Sequence, residues 1–203
     1  MKSSLEYPTV AVPAHPMVPE PWRVRRVRRE TQETFTVELE PAGARHEFHF
    51  LAGQFNMLYL FGVGEVPISV SGDSNDPRKL VHTIRAVGPV TRAMRSVKRG
   101  DTLGVRGPFR SHWPVTEASG KDVLIVVGGV GMAPLRPVVY EVLSKRNIYG
   151  QVALIYGRRA PADLLYSSEL KRWQKRSDIQ VHVTVDRLLQ PHPEPSHHTG
   201  ALT

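Results

Sequence analysis

Val123-Leu124-Ile125-Val126-Val127, followed at once by Gly128-Gly129-Val130-Gly131-Met132-Ala133-Pro134-Leu135-Arg136-Pro137, is the stretch on which the fold turns. Five aliphatic residues with no polar alternate predict a strand buried on both faces. Beyond the glycines, Leu135, Val138, Val139, Val142 and Leu143 recur at helical spacing and form one apolar stripe. Pro134 and Pro137 fit the first turn of that helix, where a missing N–H loses no intrahelical bond. Strand, glycine turn and helix together leave backbone N–H groups at a positive helix end, which suits a phosphate. The spacing Gly129-x-Gly131-x-x-Pro134 ends in proline where the common dinucleotide fingerprint has Gly or Ala. A glycine turn alone reads equally well as a tight connection, and the flanking strand and helix favour the nucleotide reading.

Downstream of this unit the grammar stays strand–helix–strand, which predicts a parallel sheet. Val152–Tyr156 reads as the second strand and ends at Gly157; Asp163–Lys175 reads as a helix carrying Leu164, Leu165, Leu170 and Trp173. Ile179–Val185 is the third strand. Residues 188–203 form an irregular tail with three histidines, for which a metal site at His192, His197 and His198 is the less favoured reading.

Upstream the pattern is different. Residues 1–20, with Pro8, Pro13, Pro16 and Pro19, read as an extended arm. Trp22–Arg29 holds five arginines. It reads either as an anion or nucleic-acid patch or, the favoured view, as a strand with Trp22, Val24 and Val27 inward across a bulge. Phe35, Val37 and Leu39 alternate with Thr36, Glu38 and Glu40. Further strands are expected at Phe48–Phe55, Met57–Phe61, Leu80–Val87 and Thr102–Val105, with a helix at Thr91–Val97. Short strands between turn signals predict a small antiparallel barrel. Glu117–Lys121 reads as the linker between a barrel over 21–117 and an α/β unit over 121–187.

The 203 residues suffice for two small domains, and no apolar run approaches the ~20 residues of a membrane span. Cysteine is absent, which removes disulfides, thiolate metal sites and cysteine nucleophiles from this chain. With no secretory pattern at the N-terminus, the expected setting is cytoplasmic. A net charge of +8 points to anionic partners without choosing among them.

Five short motifs occur in a telling order: Gly53-Gln54-Phe55, Glu65-Val-Pro-Ile-Ser-Val-Ser71, Arg85-Ala-Val-Gly-Pro-Val-Thr91, Gly107-Pro108-Phe109 and Gly129-x-Gly131-x-x-Pro134. In this order they resemble the ferredoxin–NADP reductase superfamily. Trp113-Pro114, Tyr156-Gly-Arg158 and Asp163-Leu-Leu-Tyr166 narrow the likeness to the gamma (flavin) subunits of cytoplasmic hydrogenase/sulfur reductase complexes, related to the electron-transfer subunit of dihydroorotate dehydrogenase B. The resemblance implies a Greek-key FAD-binding barrel followed by an NAD(P)-binding α/β domain. It also implies NAD(P)H oxidoreductase chemistry, with electrons passed to redox partner subunits.

By the same resemblance, FAD would meet Val66, Pro67, Ile68, Ser69, Arg85, Gly88, Val90 and Thr91, with Ser69 as the catalytic group beside flavin N5. The Thr91 hydroxyl and backbone N–H groups would take the pyrophosphate. NAD(P) would meet Gly129, Gly131, Met132, Pro134, Gly157 and Arg158, and the Arg158-Arg159 pair leans toward a 2′-phosphate. Two departures stand out. Val66 and Ile68 replace the family's Arg and Tyr, so Arg85 becomes the candidate substitute cation. The family's Cys-Gly-Pro-Pro motif and cluster-binding cysteines are absent before Thr203, so the α/β domain is expected to be incomplete. The competing reading is a non-enzymatic basic binding or interaction module. The arginine run lacks interleaved aromatics for base stacking, so no nucleic-acid partner is expected.

Overall fold

The computed structural model describes residues 17–43, 47–110 and 112–186. The expected tail at 188–203, with its histidines, and most of the expected arm lie outside these residues.

Six strands form one antiparallel sheet: β1 (Glu20–Arg29), β2 (Thr34–Pro41), β3 (Phe55–Leu60), β4 (Gly64–Ser69), β5 (Leu80–Arg85) and β6 (Thr102–Phe109). Their order is β4-β3-β6-β1-β2-β5, and a bridge between Val70 and His82 joins the two edges into a barrel. Trp22, Val24, Val37, Leu39, Leu58 and Ile84 fill it. The β1–β2 register shifts between Val24 and Arg26. That bulge lets Val24 and Val27 both face the core three residues apart, as the arginine-rich sequence requires. Helix α1 (Pro89–Met94) follows β5 and starts two residues earlier than expected.

Phe48 and Phe50 do not open a strand. Their side chains cover the barrel, Phe48 meeting Trp22 edge-on at 5.5 Å, but the Phe48 N–H is taken by the Pro77 carbonyl outside any ladder. Aromatic alternation here reflects burial without pairing. A single strand, β3, replaces the two expected around Phe55 and Met57.

The second sheet is parallel, with β7 (Val123–Gly128), β8 (Val152–Arg158) and β9 (Gln180–Val185) in sequential order. Helices α2 (Met132–Ser144) and α3 (Ser167–Gln174) make the crossovers. Because the strands step in one direction, right-handed crossovers place both helices on one face. Rows such as Ile125–Leu154–Val181 and Val127–Tyr156–Val183 lie beneath them. The other face of β7 is open among the described residues, with Leu124 65% and Val126 62% exposed. The expectation of a strand buried on both sides therefore fails: an uninterrupted aliphatic run cannot reveal which face its crossovers cover.

Two helix boundaries also differ. A 3₁₀ turn, Gly129–Gly131, leads into α2, and Pro137 lies inside the helix, beyond its first turn. The expected helix from Asp163 begins only at Ser167, because Tyr166 adopts a left-handed conformation with φ 56°. A further 3₁₀ turn occupies Pro161–Asp163.

Candidate functional site

A cleft of about 660 Å³ opens at the C-terminal ends of the parallel strands, where ligands of open α/β sheets bind. Gly128, Gly129 and Val130 line it from the glycine turn, and Gly157, Arg158 and Arg159 line it from the end of β8. The barrel closes the other side with Thr31, Glu33 and Arg85. Gly129 has φ +60°, a conformation that disfavours a side chain, and a Cβ there would stand 3.3 Å from Arg158 Nη1. The Arg158 guanidinium is held by the Asp163 carbonyl, so a cation lies against the turn.

The expected nucleotide residues divide on this geometry. Gly129, Gly157 and Arg158 share the cleft. Gly131 does not line it: its φ is −58°, and a Cβ would press on Val127 Cγ2 at 3.3 Å. Its small size serves the close packing of α2 on β7 rather than ligand approach. Met132 is fully buried in the core, and Pro134 is half-buried within α2. Arg85, expected near a flavin pyrophosphate, instead lines this cleft and bonds Glu33 through Nε and Nη2 at 3.3 and 3.2 Å. Successive side chains of a strand leave on opposite faces, and residue 85 leaves toward the second sheet.

The remaining flavin candidates gather where α1 meets β4. Val66 and Ile68, half-buried on one face of β4, pack with Val90 against the barrel core. A Cβ on Gly64 would touch Val90 at 3.4 Å. Pro67 is exposed. Ser69 is partly exposed, and its hydroxyl has no hydrogen bond among the described residues. Thr91 is otherwise employed. Its hydroxyl accepts the Val87 and Gly88 N–H groups at 3.0 and 2.9 Å and donates to the Gly88 carbonyl at 3.1 Å. A hydroxyl has one proton, so Thr91 caps the helix and has none to give an anion. The opening N–H groups at Val90 and Thr91 precede any intrahelical acceptor. These observations fit a flat ring laid on an apolar face, with Ser69 at its edge and a phosphate on backbone N–H groups.

Behind Ser69 lies a pair that the sequence did not advertise. His82 is fully buried; Nδ1 donates to the Ser69 carbonyl at 3.0 Å, and Nε2 accepts from Asn56 Nδ2 at 3.1 Å. Burial lowers its pKa from 6.5 to about 4, so the imidazole is neutral. Asn56 Oδ1 is buried without a hydrogen-bond partner among the described residues. A Cβ on Gly107 would fall 2.2 Å from it, so β6 needs glycine there.

A polar seam joins the two sheets. From α2, Arg136 donates Nε to Glu169 Oε2 at 2.7 Å and Nη1 to the Ser71 carbonyl at 3.0 Å. Its guanidinium covers the Tyr166 ring at 4.2 Å. Tyr166 O–H in turn donates to Thr83 at 2.6 Å, and Thr83 shares hydrogen bonds with Thr36 and Ser71. Tyr140 O–H bonds the other Glu169 oxygen. Burial works against the Arg136 charge, but the Glu169 carboxylate beside it more than offsets this and raises its pKa. Burial pushes the Tyr140 and Tyr166 phenols up. A charged residue among the buried positions Met132, Arg136 and Val139 is the sequence signal that could have pointed here.

Residues 125–201 match the family model of the oxidoreductase NAD-binding domain. The gamma subunit of sulfhydrogenase 1 from Pyrococcus furiosus is 35% identical over 74% of this chain and 52% of its own. A probable dihydroorotate dehydrogenase B (NAD(+)) electron transfer subunit from Methanocaldococcus jannaschii is 34% identical over 78% and 54%. Ferredoxin-NADP+ reductase from Plasmodium falciparum, solved with 2′P-AMP, shares the fold at TM-score 0.71 and 17% identity, covering 86% of this chain and 74% of that one. In sequence the chain is similar to the hydrogenase gamma subunits, and its fold is that of the ferredoxin–NADP reductases. It spans about half the length of the curated relatives it matches. No helix among the described residues is long and apolar enough to cross a membrane.

Proposed function

We propose that this chain is the FAD- and NAD(P)H-binding part of an electron-transfer subunit serving a hydrogenase- or sulfur-reductase-like complex in the cytoplasm. The observation that carries the reading is the shared cleft. The glycine turn at the end of β7 faces residues from the barrel, so one side of the molecule can bring a dinucleotide against a ligand on the other. Likeness to a sulfhydrogenase gamma subunit supports the choice of partners.

Gly128, Gly129 and Val130 would bind the dinucleotide through main-chain N–H groups, with Arg158 supplying positive charge beside them. Arg159, exposed and without an ion pair among the described residues, would meet a ribose 2′-phosphate, which favours NADPH over NADH. Val66, Ile68 and Val90 would support the flavin ring in place of a stacked phenol. Ser69 would orient its edge through the free hydroxyl, with His82 fixing the Ser69 backbone. FAD, when bound, supplies the hydride acceptor and relays electrons onward. The protein's share is placement and exclusion of water.

The basic-module alternative loses ground on the arginine run itself. Arg25 and Arg28 are committed to Glu38 and Glu30, and Arg29 to the carbonyls of Thr31 and Gln32. Anaerobic rapid mixing of FAD-loaded protein with NADPH and with NADH tests the proposal. Bleaching of the flavin band is expected, faster with NADPH. No bleaching with either nucleotide, or no FAD retained, would count against it.

A further inference from the structure

A second concavity, of about 390 Å³, lies on the seam and shares no residue with the dinucleotide cleft. Its lining includes five cations, Arg26, Arg28, Lys79, Arg136 and Arg172, against one carboxylate, Glu38. The β1–β2 pairing explains the convergence. Beyond the bulge, Arg26 and Arg28 leave β1 on one face, opposite Glu38 and Thr36 of β2. Lys79 adds a charge just before β5, while Arg136 and Arg172 reach the same groove from α2 and α3.

The local carboxylates do not cancel this charge. Glu38 is taken by Arg25, which does not line the groove, at 2.9 Å. Glu169 serves Arg136 and Arg172 together. Arg28 and Lys79 each have one partner, Glu30 and Asp76, and Arg26 has no ion pair among the described residues. Nε and Nη1 of Arg136 are bonded, while Nη2 makes no hydrogen bond among the described residues and is not fully buried. Cations gathered in a concavity repel one another at a cost that a multivalent anion reverses. Guanidinium forks suit the paired oxygens of a phosphoryl group. No aromatic side chain lines the groove, which disfavours a nucleobase.

We propose that this groove is a binding site for a small polyanion of phosphoryl chemistry, which clamps the barrel to the α/β unit. Such a ligand touches β1 on one side and α2 and α3 on the other, so its binding tightens the same seam that Arg136 and Glu169 hold.

Calorimetric titration with inorganic pyrophosphate tests this, at low and at physiological salt, on the wild-type chain and on Arg26→Gln, Lys79→Gln and Arg158→Gln. Arg26 is exposed and Lys79 lies at the surface, and circular dichroism checks that each variant is folded. The expected result is saturable one-to-one binding, weakened about tenfold or more by Arg26→Gln and by Lys79→Gln and unchanged by Arg158→Gln. Backbone NMR shifts on titration should then concentrate around Arg26, Lys79 and Arg172. Absence of saturable binding overturns the proposal, as does equal loss in Arg158→Gln, which would place the anion in the dinucleotide cleft. Binding of poly-glutamate without pyrophosphate also overturns it, in favour of an acidic protein surface.

Discussion

The barrel hides polar side chains, and the parallel sheet displays apolar ones. Inside or against the barrel, Asn56, Ser71, His82, Thr83 and Thr91 are buried. On β7, Leu124 and Val126 are exposed. Both invert the usual partition, for different reasons. The barrel tolerates its polar groups because nearly all are hydrogen-bonded, with Thr83 reached across the seam by Tyr166 and the Ser71 carbonyl by Arg136 of α2. The sheet displays its aliphatic residues because three strands in sequential order carry both crossovers on one side. Hydrophobic pattern alone misreads each half, and in each the correction comes from how the halves are assembled.

The largest expected effect comes from breaking the seam. Arg136→Met removes the buried partner of the Glu169 carboxylate, leaving only the exposed Arg172 beside it, and should cost about 3–5 kcal/mol in urea unfolding. Adding Glu169→Leu should recover much of that loss, because two apolar groups need no pairing. If the single variant costs less than about 1 kcal/mol, the seam does not hold the halves together.

The two faces of the parallel sheet differ next. Leu154→Ala, beneath the helices, should cost about 2–5 kcal/mol. Leu124→Ser, one strand away on the open face, should change stability by no more than about 0.5 kcal/mol. A large loss at Leu124 would mean that this face is covered in solution.

The buried imidazole gives a pH test. Unfolded His82 takes a proton near its ordinary 6.5, whereas in the fold it resists until about 4. Between those values the unfolded chain binds more protons, so stability is lost as pH falls, by about 1.4 kcal/mol per unit. Comparing wild type with His82→Gln across this window isolates the contribution, since other groups cancel. Parallel pH profiles would show that His82 does not titrate as described.

Smaller still is the helix cap. Thr91→Val removes three hydrogen bonds, one with Val87 and two with Gly88, and should lower stability by about 1 kcal/mol. FAD affinity, measured by fluorescence quenching, should change little if Thr91 only shapes the turn. A tenfold loss of FAD binding with unchanged stability would return Thr91 to the ligand.

Much of this was legible from residues alone. The aliphatic run before Gly128, the stripe on α2 and the order of five motifs gave both sheets and the glycine turn. What stayed hidden depends on pairings distant in the chain. Arg136 meets Glu169 33 positions later, and His82 meets Asn56 26 positions earlier. His82 read only as one residue of an alternating strand. Arg85 was assigned by its place in a motif, yet strand parity turns it into the other cleft. The functions of Gly131 and Thr91 were likewise inferred from motif position, whereas the structure gives each a neighbour that explains it.

The bulge in β1 bears on chain length. From Trp22 to Val24 the inward positions are even-numbered; from Val27 they are odd, and Arg25 is the residue that changes the count. Removing Arg25 alone would restore unbroken alternation and leave every other side chain of the strand facing as it does now. The loss would be the Arg25–Glu38 ion pair, worth about 0.2–1 kcal/mol at a surface. Removing Val24 instead would delete a fully buried core side chain. A melting curve of each single-residue deletion would show whether this strand has one dispensable position, with every neighbour indispensable to its phase.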